Sequence, residues 1–97
     1  MHKYEVGVII NPQLEEEAIS AEQDHLLELI ARFGGTVDKV DVWGRRKLAY
    51  EIQKLTEGHY IFFYIDAPAS LPRELEDRIN IRENIIRHLI LRREETA

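Results

Sequence analysis

His59-Tyr60-Ile61-Phe62-Phe63-Tyr64-Ile65-Asp66-Ala67 decides how this chain folds. Successive side chains of a strand point to opposite faces. Here Tyr60, Phe62 and Tyr64 share one face, and Ile61, Phe63 and Ile65 share the other. Both faces are apolar, which marks a central strand rather than an edge. Upstream, Lys54 to Gly58 reads as a short turn leading into it. Before that turn, Val40, Val42, Gly44, Arg46, Leu48, Tyr50 and Ile52 alternate with polar Asp41, Arg45, Lys47, Glu51 and Gln53. The pattern predicts one long bent strand over 40–52, or two halves hinged at Gly44. Its wet face suits the rim of a sheet, where charge discourages unwanted pairing.

The remaining elements follow from the same periodicities. Tyr4, Val6, Val8 and Ile10 alternate, with Ile9 on the opposite side, so a second central strand covers Tyr4 to Ile10. Asn11-Pro12 stops it, because proline has no N–H to give to a ladder. Between Leu14 and Phe33 the spacing becomes helical: Ile19, Leu26, Ile30 and Phe33 form a stripe flanked by Leu27 and Leu29. Glu15, Glu16 and Glu17 open this helix, where its dipole favours negative charge, and Gly34-Gly35 ends it with one glycine in the left-handed cap conformation. Downstream of Pro68, Leu71, Leu75 and Ile79 define a short helix, with Ser70 as N-cap and Pro72 in the first turn. Ile85 to Leu91 forms the last strand, and 92–97 reads as a flexible polar tail.

The resulting order is strand, helix, strand, strand, helix, strand. Two right-handed split β-α-β units build an α+β ferredoxin-like sandwich, a four-stranded antiparallel sheet with two helices on one face. A chain of 97 residues with no repeat or linker reads as a single domain over 1–97.

Composition narrows the function. Without cysteine there is no disulfide framework, cysteine–zinc site or thiol catalysis. No apolar run approaches the roughly 20 residues of a membrane span, and no basic stretch precedes a signal-like apolar segment. The expectation is a soluble, cytoplasmic protein. His2, His25, His59 and His88 lack metal-ligand spacing, and Ser20, Ser70, Thr36, Thr56 and Thr96 lie in no nucleophile motif. Neither enzyme, metal site, cofactor nor small-molecule substrate is expected.

The net charge of −5 speaks against nucleic acid until it is divided along the chain. Residues 13–41 carry eight acids and two bases, and residues 55–77 carry five acids and one base. Residues 42–54 carry four bases against Glu51, and residues 78–93 carry five bases against Glu83, so the charge is segregated. Arg45, Arg46 and Lys47 offer guanidinium forks and an ammonium suited to phosphate, as do Arg82 and Arg87 nearer the end of the chain. A solvated edge with local salt bridges accounts for these clusters equally well. Tyr60, Phe62 and Tyr64 also evoke the base-stacking strand of RNA-recognition modules. Glu57-Gly58 stands where that signature has a basic residue and glycine, and bulky residues fill both faces. Core packing or burial under a protein partner is the better reading of the stripe. A small-molecule-binding regulatory domain of the same fold is the remaining competitor.

Gly44-Arg45-Arg46-Lys47-Leu48-Ala49-Tyr50-Glu51-Ile52 resembles the signature of the bacterial small-subunit ribosomal protein six family. Tyr4-Glu5-Val6 through Asn11-Pro12, Glu57-Gly58-His59-Tyr60 and Ile81-Arg82-Glu83-Asn84-Ile85-Ile86-Arg87 extend the likeness over about residues 3–92. Glu51 departs from it, since many members carry proline there. The resemblance implies a place on the platform of the small ribosomal subunit. It also implies binding to the central domain of 16S rRNA together with small-subunit ribosomal protein eighteen, a basic partner. Carried onto this chain, Lys3, Arg45, Arg46, Lys47, Arg82 and Arg87 become the candidate RNA-binding residues, and Trp43, Leu48 and Tyr50 the candidate partner-binding residues.

Overall fold

The computed structural model describes residues 1–93. The elements are β1 (His2–Ile10), α1 (Glu16–Arg32), β2 (Thr36–Ile52), β3 (Leu55–Ala67), α2 (Leu71–Ile79) and β4 (Ile85–Arg93). The sheet order is β2-β3-β1-β4 with every pairing antiparallel, which is the ferredoxin-like arrangement. The two strands read as doubly apolar, β3 and β1, occupy the centre. There all of β1 pairs with residues 59–67 of β3, Tyr4 opposite Ile65, Val6 opposite Phe63 and Val8 opposite Ile61.

Both helices cover one face of the sheet. Tyr4, Val6, Val8 and Ile10 from β1 and Ile61, Phe63, Ile65 and Ala67 from β3 are buried there against Leu26, Leu29 and Ile30 of α1 and Leu71, Leu75 and Ile79 of α2. Each such side chain contributes roughly 1.5–3 kcal/mol by leaving water. The end of α1 is locked by glycine chemistry. Gly34 has φ +88°, and the N–H groups of Gly35 and Gly34 donate to the carbonyls of Ile30 at 2.8 Å and Ala31 at 3.1 Å. This is the Schellman pattern, which only a residue at ease in the left-handed region closes without strain.

Several element boundaries differ from the sequence reading. β3 begins at Leu55, so the turn is Gln53-Lys54 rather than Lys54 to Gly58. Both turn residues have positive φ, 51° and 66°, the two-residue hairpin geometry that matches strand twist. Neither is the glycine or asparagine that normally announces such a turn. α1 begins at Glu16 instead of Leu14, and Ser70 sits at the N-cap of α2 without a side-chain cap hydrogen bond. Arg92 and Arg93 belong to β4, where they pair with Tyr4 and Lys3. Residues 94–97 of the expected tail lie outside the described residues.

β2 is one strand, as the first of the two alternatives had it, but its even positions do not share a face. Val42 pairs with Ile61 and Gly44 pairs with Tyr60, so Trp43 is an extra residue in the ladder and Gly44 takes φ +76°. This bulge reverses the parity. Val40 packs against the core, while beyond the bulge Arg46, opposite Gly58, lies on the face away from the helices. β4 has a similar break, with Ile9 opposite Arg87 and Ile10 opposite Ile85, so Ile85 enters the core while Arg87 faces outward.

Candidate nucleic-acid and protein interface

The sheet face away from the helices carries the other half of the aromatic residues. Tyr60, Phe62 and Tyr64 of β3 are half-buried there, and the bulge throws Trp43 onto the same surface. The Trp43 ring is near-parallel to Tyr60 at 6.1 Å and lies 4.5 Å from Phe62. Leu89 and Leu91 from β4 are 54% and 46% exposed and Trp43 is 45% exposed, so this is an open apolar face with no helix over it. Gly7 makes its floor. A Cβ on Gly7 would come within 2.8 Å of the Phe62 ring, so its hydrogen lets that ring lie across β1. Between Tyr60 and Phe62 on one side and Arg87 and Leu89 on the other runs a groove of about 220 Å³.

At one end of this face the β2–β3 hairpin projects as an arm, residues 45–54. It reaches across the sheet end. A side chain on Gly58 would collide with Ile9 and meet Leu48 at 3.3 Å, so the bare backbone lets Leu48 close toward β1. Further out, the Tyr50 ring lies 5.4 Å from the Arg87 guanidinium, a cation–π contact between strands at opposite edges of the sheet. Leu48 and Tyr50, two of the expected partner residues, are thus drawn toward the apolar face that holds the third, Trp43.

The six candidate RNA-binding residues separate into two groups. Arg45 donates to the carbonyl of Pro12 at 2.9 Å and lies 3.7 Å from Glu57. Lys3, at the far end of the sheet, bonds Asp66 at 3.0 Å and Asp38 at 3.5 Å. The Asp66 hydrogen bond foremost holds its ammonium above the ordinary lysine range, and the Lys3 bond holds Asp66 below the ordinary carboxylate range. Arg82 forms a fork with Glu22 through Nε, at 3.2 Å, and Nη2. These three cations serve neighbours inside the fold. Arg46, Lys47 and Arg87 make no ion pair among the described residues and cluster at the arm end of the sheet. The acids Glu5, Asp38, Asp41 and Asp66 lie toward the other end, interleaved with the cations Lys3, Lys39 and Arg93, so charges of both signs meet there.

Among the described residues Glu22 is the one charged side chain that is buried, 3% exposed. Burial pushes its carboxyl up, but hydrogen bonds from Arg82 and Asn84 and the charge on Arg82 outweigh this and hold it below the ordinary range. The same contact raises Arg82. Asn84 Nδ2 donates to Glu22 at 3.0 Å, and the Asn84 carbonyl accepts the Asn11 N–H at 2.8 Å. The α2–β4 loop is thereby pinned to α1 and to the end of β1. Helix periodicity holds the signal for this anchor: Glu22 sits three residues after Ile19 and four before Leu26, inside the apolar stripe. An acid at a core position needs a buried partner. The exposure of Leu89 and Leu91 on the open face was legible as the outward alternation of β4.

Among the described residues no group of three or more acidic or histidine side chains converges to hold a metal. The geometry suits binding: an apolar face and a cationic arm. Comparison with known proteins agrees. The family profile described as Ribosomal protein S6 matches residues 3–92. A small ribosomal subunit protein bS6 from Clostridium botulinum strain 657 is 45% identical over 94 residues, covering 97% of this chain and all of that protein. The bS6 protein of Clostridium acetobutylicum is 46% identical over 91 residues, covering 94% and 96% of the two chains. The crystal structure of 30S ribosomal protein S6 from Thermotoga maritima matches with a TM-score of 0.91 and 34% identity, covering 95% of this chain and 87% of that one. A fold, a surface built for binding and this breadth of similarity converge, and the chain belongs to the ribosomal protein S6 family, which is not a family of enzymes.

Proposed function

We propose that this protein is a structural component of the small ribosomal subunit that binds the central domain of 16S rRNA jointly with small-subunit ribosomal protein eighteen. The relatives' names place those proteins in the small subunit, which supports ribosomal RNA as the target and the ribosome as the location. One observation carries the division of labour. The cations Arg46, Lys47 and Arg87, which make no ion pair among the described residues, gather toward the arm end, while the exposed apolar residues Trp43, Leu89 and Leu91 lie on the open sheet face. Phosphates seek the first surface, and a protein with an apolar patch seeks the second. A stand-alone module stacking bases on this face fits less well. Trp43 and Tyr60 already cover one another, and the Tyr64 ring is taken by Lys39 and Arg93.

Filter binding to a central-domain transcript, with protein eighteen present and across a series of salt concentrations, tests the reading. Arg46→Ala, Lys47→Ala and Arg87→Ala each lower the salt slope by about one, because each phosphate contact releases about one counterion. Lys3→Ala leaves the slope unchanged. Wild-type affinity and slope in the triple arm variant would overturn the proposal.

A further inference from the structure

The open sheet face carries a knob and a hole at the same height. Trp43 is the extra residue between Val42, opposite Ile61, and Gly44, opposite Tyr60. Across the ladder, Ile61 and Tyr60 lie opposite Val8 and Ile9, which in turn lie opposite His88 and Arg87. Val8, Ile9, Arg87 and His88 all line the groove of about 220 Å³ floored by Gly7. Trp43 on the β2 side and the groove on the β1–β4 side therefore stand at one level of the sheet. A two-fold axis along the strands, between β3 and β1, exchanges the two sides and sets each Trp43 over the groove of the other copy. We infer that the free chain pairs with a second copy of itself through this face, two sheets packed face to face with each Trp43 in its partner's groove. The inference goes beyond the functional reading, because it gives the face an occupant that needs no other protein.

Chemistry, charge and size all suit this pairing. In the groove, Arg87 makes no ion pair among the described residues and offers its guanidinium to an indole face, while Leu89 supplies apolar area. An isologous contact must also tolerate its own charges, since each patch meets itself. Glu5 and Asp41 share the face with Lys39 and Arg93: Glu5 and Lys39 flank Tyr64, Arg93 lies over its ring, and Asp41 stands opposite Phe62. A patch of one sign repels its copy, whereas two acids among two cations give each charge an opposite one across the axis. Arg46 and Lys47 of the arm lie beyond this patch, at the sheet end. Four strands about 4.8 Å apart, nine residues long at about 3.3 Å each, give a face of roughly 550 Å². Two such faces bury about 1,100 Å², which suits a weak and reversible dimer.

Sedimentation equilibrium of the full chain tests the inference. The weight-average mass should rise from that of one chain toward that of two between about 10 μM and 1 mM, the range expected of so small an interface. Over the same series the Trp43 emission moves to shorter wavelength as its ring leaves water. Trp43→Ala and Leu89→Glu, at positions 45% and 54% exposed, each weaken association about tenfold or more. Ile81→Glu, at a position 76% exposed in the α2–β4 loop, associates like wild type. Circular dichroism confirms that each variant is folded. A mass that stays at one chain throughout overturns the inference. So does a dimer that Trp43→Ala and Leu89→Glu leave intact, because another surface then forms it. Growth past two chains marks open-ended pairing of sheet edges in place of a closed face, and overturns it as well. The series contains neither RNA nor another protein, so its failure is distinct from a failure of the functional reading.

Discussion

The two faces of β3 are almost equally apolar in sequence, and they have opposite fates. Ile61, Phe63 and Ile65 are sealed beneath α1 and α2 at no more than 1% exposure, whereas Tyr60, Phe62 and Tyr64 remain half-buried on the open side. The first set holds the monomer together. The second set includes two tyrosines, whose hydroxyls tolerate water, and it borrows Trp43 and the cations Lys39 and Arg93 for partial cover. The difference teaches that hydrophobicity along a strand says how much surface must be covered, and not by what. One face was covered by the chain itself. The other stays open and is the face the proposal gives to a partner.

The largest effect that sharpens this comparison is a paired truncation. Phe63→Ala leaves a cavity among rigid neighbours and costs about 3–5 kcal/mol of folding stability, read by urea denaturation. Phe62→Ala, one residue away, costs about 1 kcal/mol in the monomer, because that ring is partly solvated already. The order reverses for the complex: Phe62→Ala weakens calorimetric binding to the basic partner protein, as aromatic anchors at interface centres do. Equal stability losses from the two truncations would break the comparison.

A smaller effect is expected at the buried anchor of the α2–β4 loop. Glu22→Ala strands Arg82 and Asn84 without their acceptor and costs about 2 kcal/mol, less than a wholly buried pair because the Arg82 side chain is 34% exposed. The Glu22 carboxyl lies lower in the folded protein than in the unfolded chain. Its contribution is therefore complete above the ordinary carboxylate range and vanishes as pH falls through the lower folded value. Stability curves of wild type and Glu22→Gln should converge in acid and separate on approach to neutrality. Parallel curves would show that the pair contributes nothing to folding.

The smallest effect belongs to the bulge. Gly44 has φ +76° and nothing within 4 Å of where a Cβ would lie, so Gly44→Ala meets backbone strain but no clash. A loss of about 1–2 kcal/mol is expected. The intrinsic fluorescence of Trp43, the single tryptophan, should report whether its ring leaves Tyr60 and Phe62 when the bulge is disturbed.

Much of this was legible in the residues. Alternation at Tyr4, Val6, Val8 and Ile10, the helical stripe ending at Gly34-Gly35, and the doubly apolar β3 yield the element order and hence the fold. Those signals are local, since a strand or helix must repeat its apolar residues at its own geometric period. The basic clusters were legible too, as charge. Their employment was not. Arg45, Arg46, Arg82 and Arg87 look alike in sequence, yet two bond within the fold and two face outward. The bulge at Trp43 was invisible to a parity count, because one extra residue reverses every side chain beyond it.

Composition and periodicity by themselves determined the class of the protein: no thiol chemistry, no catalytic constellation, a β-α-β-β-α-β sandwich and separated charge. Only the tertiary structure decided which cations are available, that Glu22 claims Arg82, and that the arm crosses the sheet end to bring Tyr50 to Arg87. The physical reason is range. Backbone preference and burial are set within a few residues along the chain. Whether a charge is spent or free depends on neighbours that are distant in sequence, such as Glu22 and Arg82, 60 residues apart.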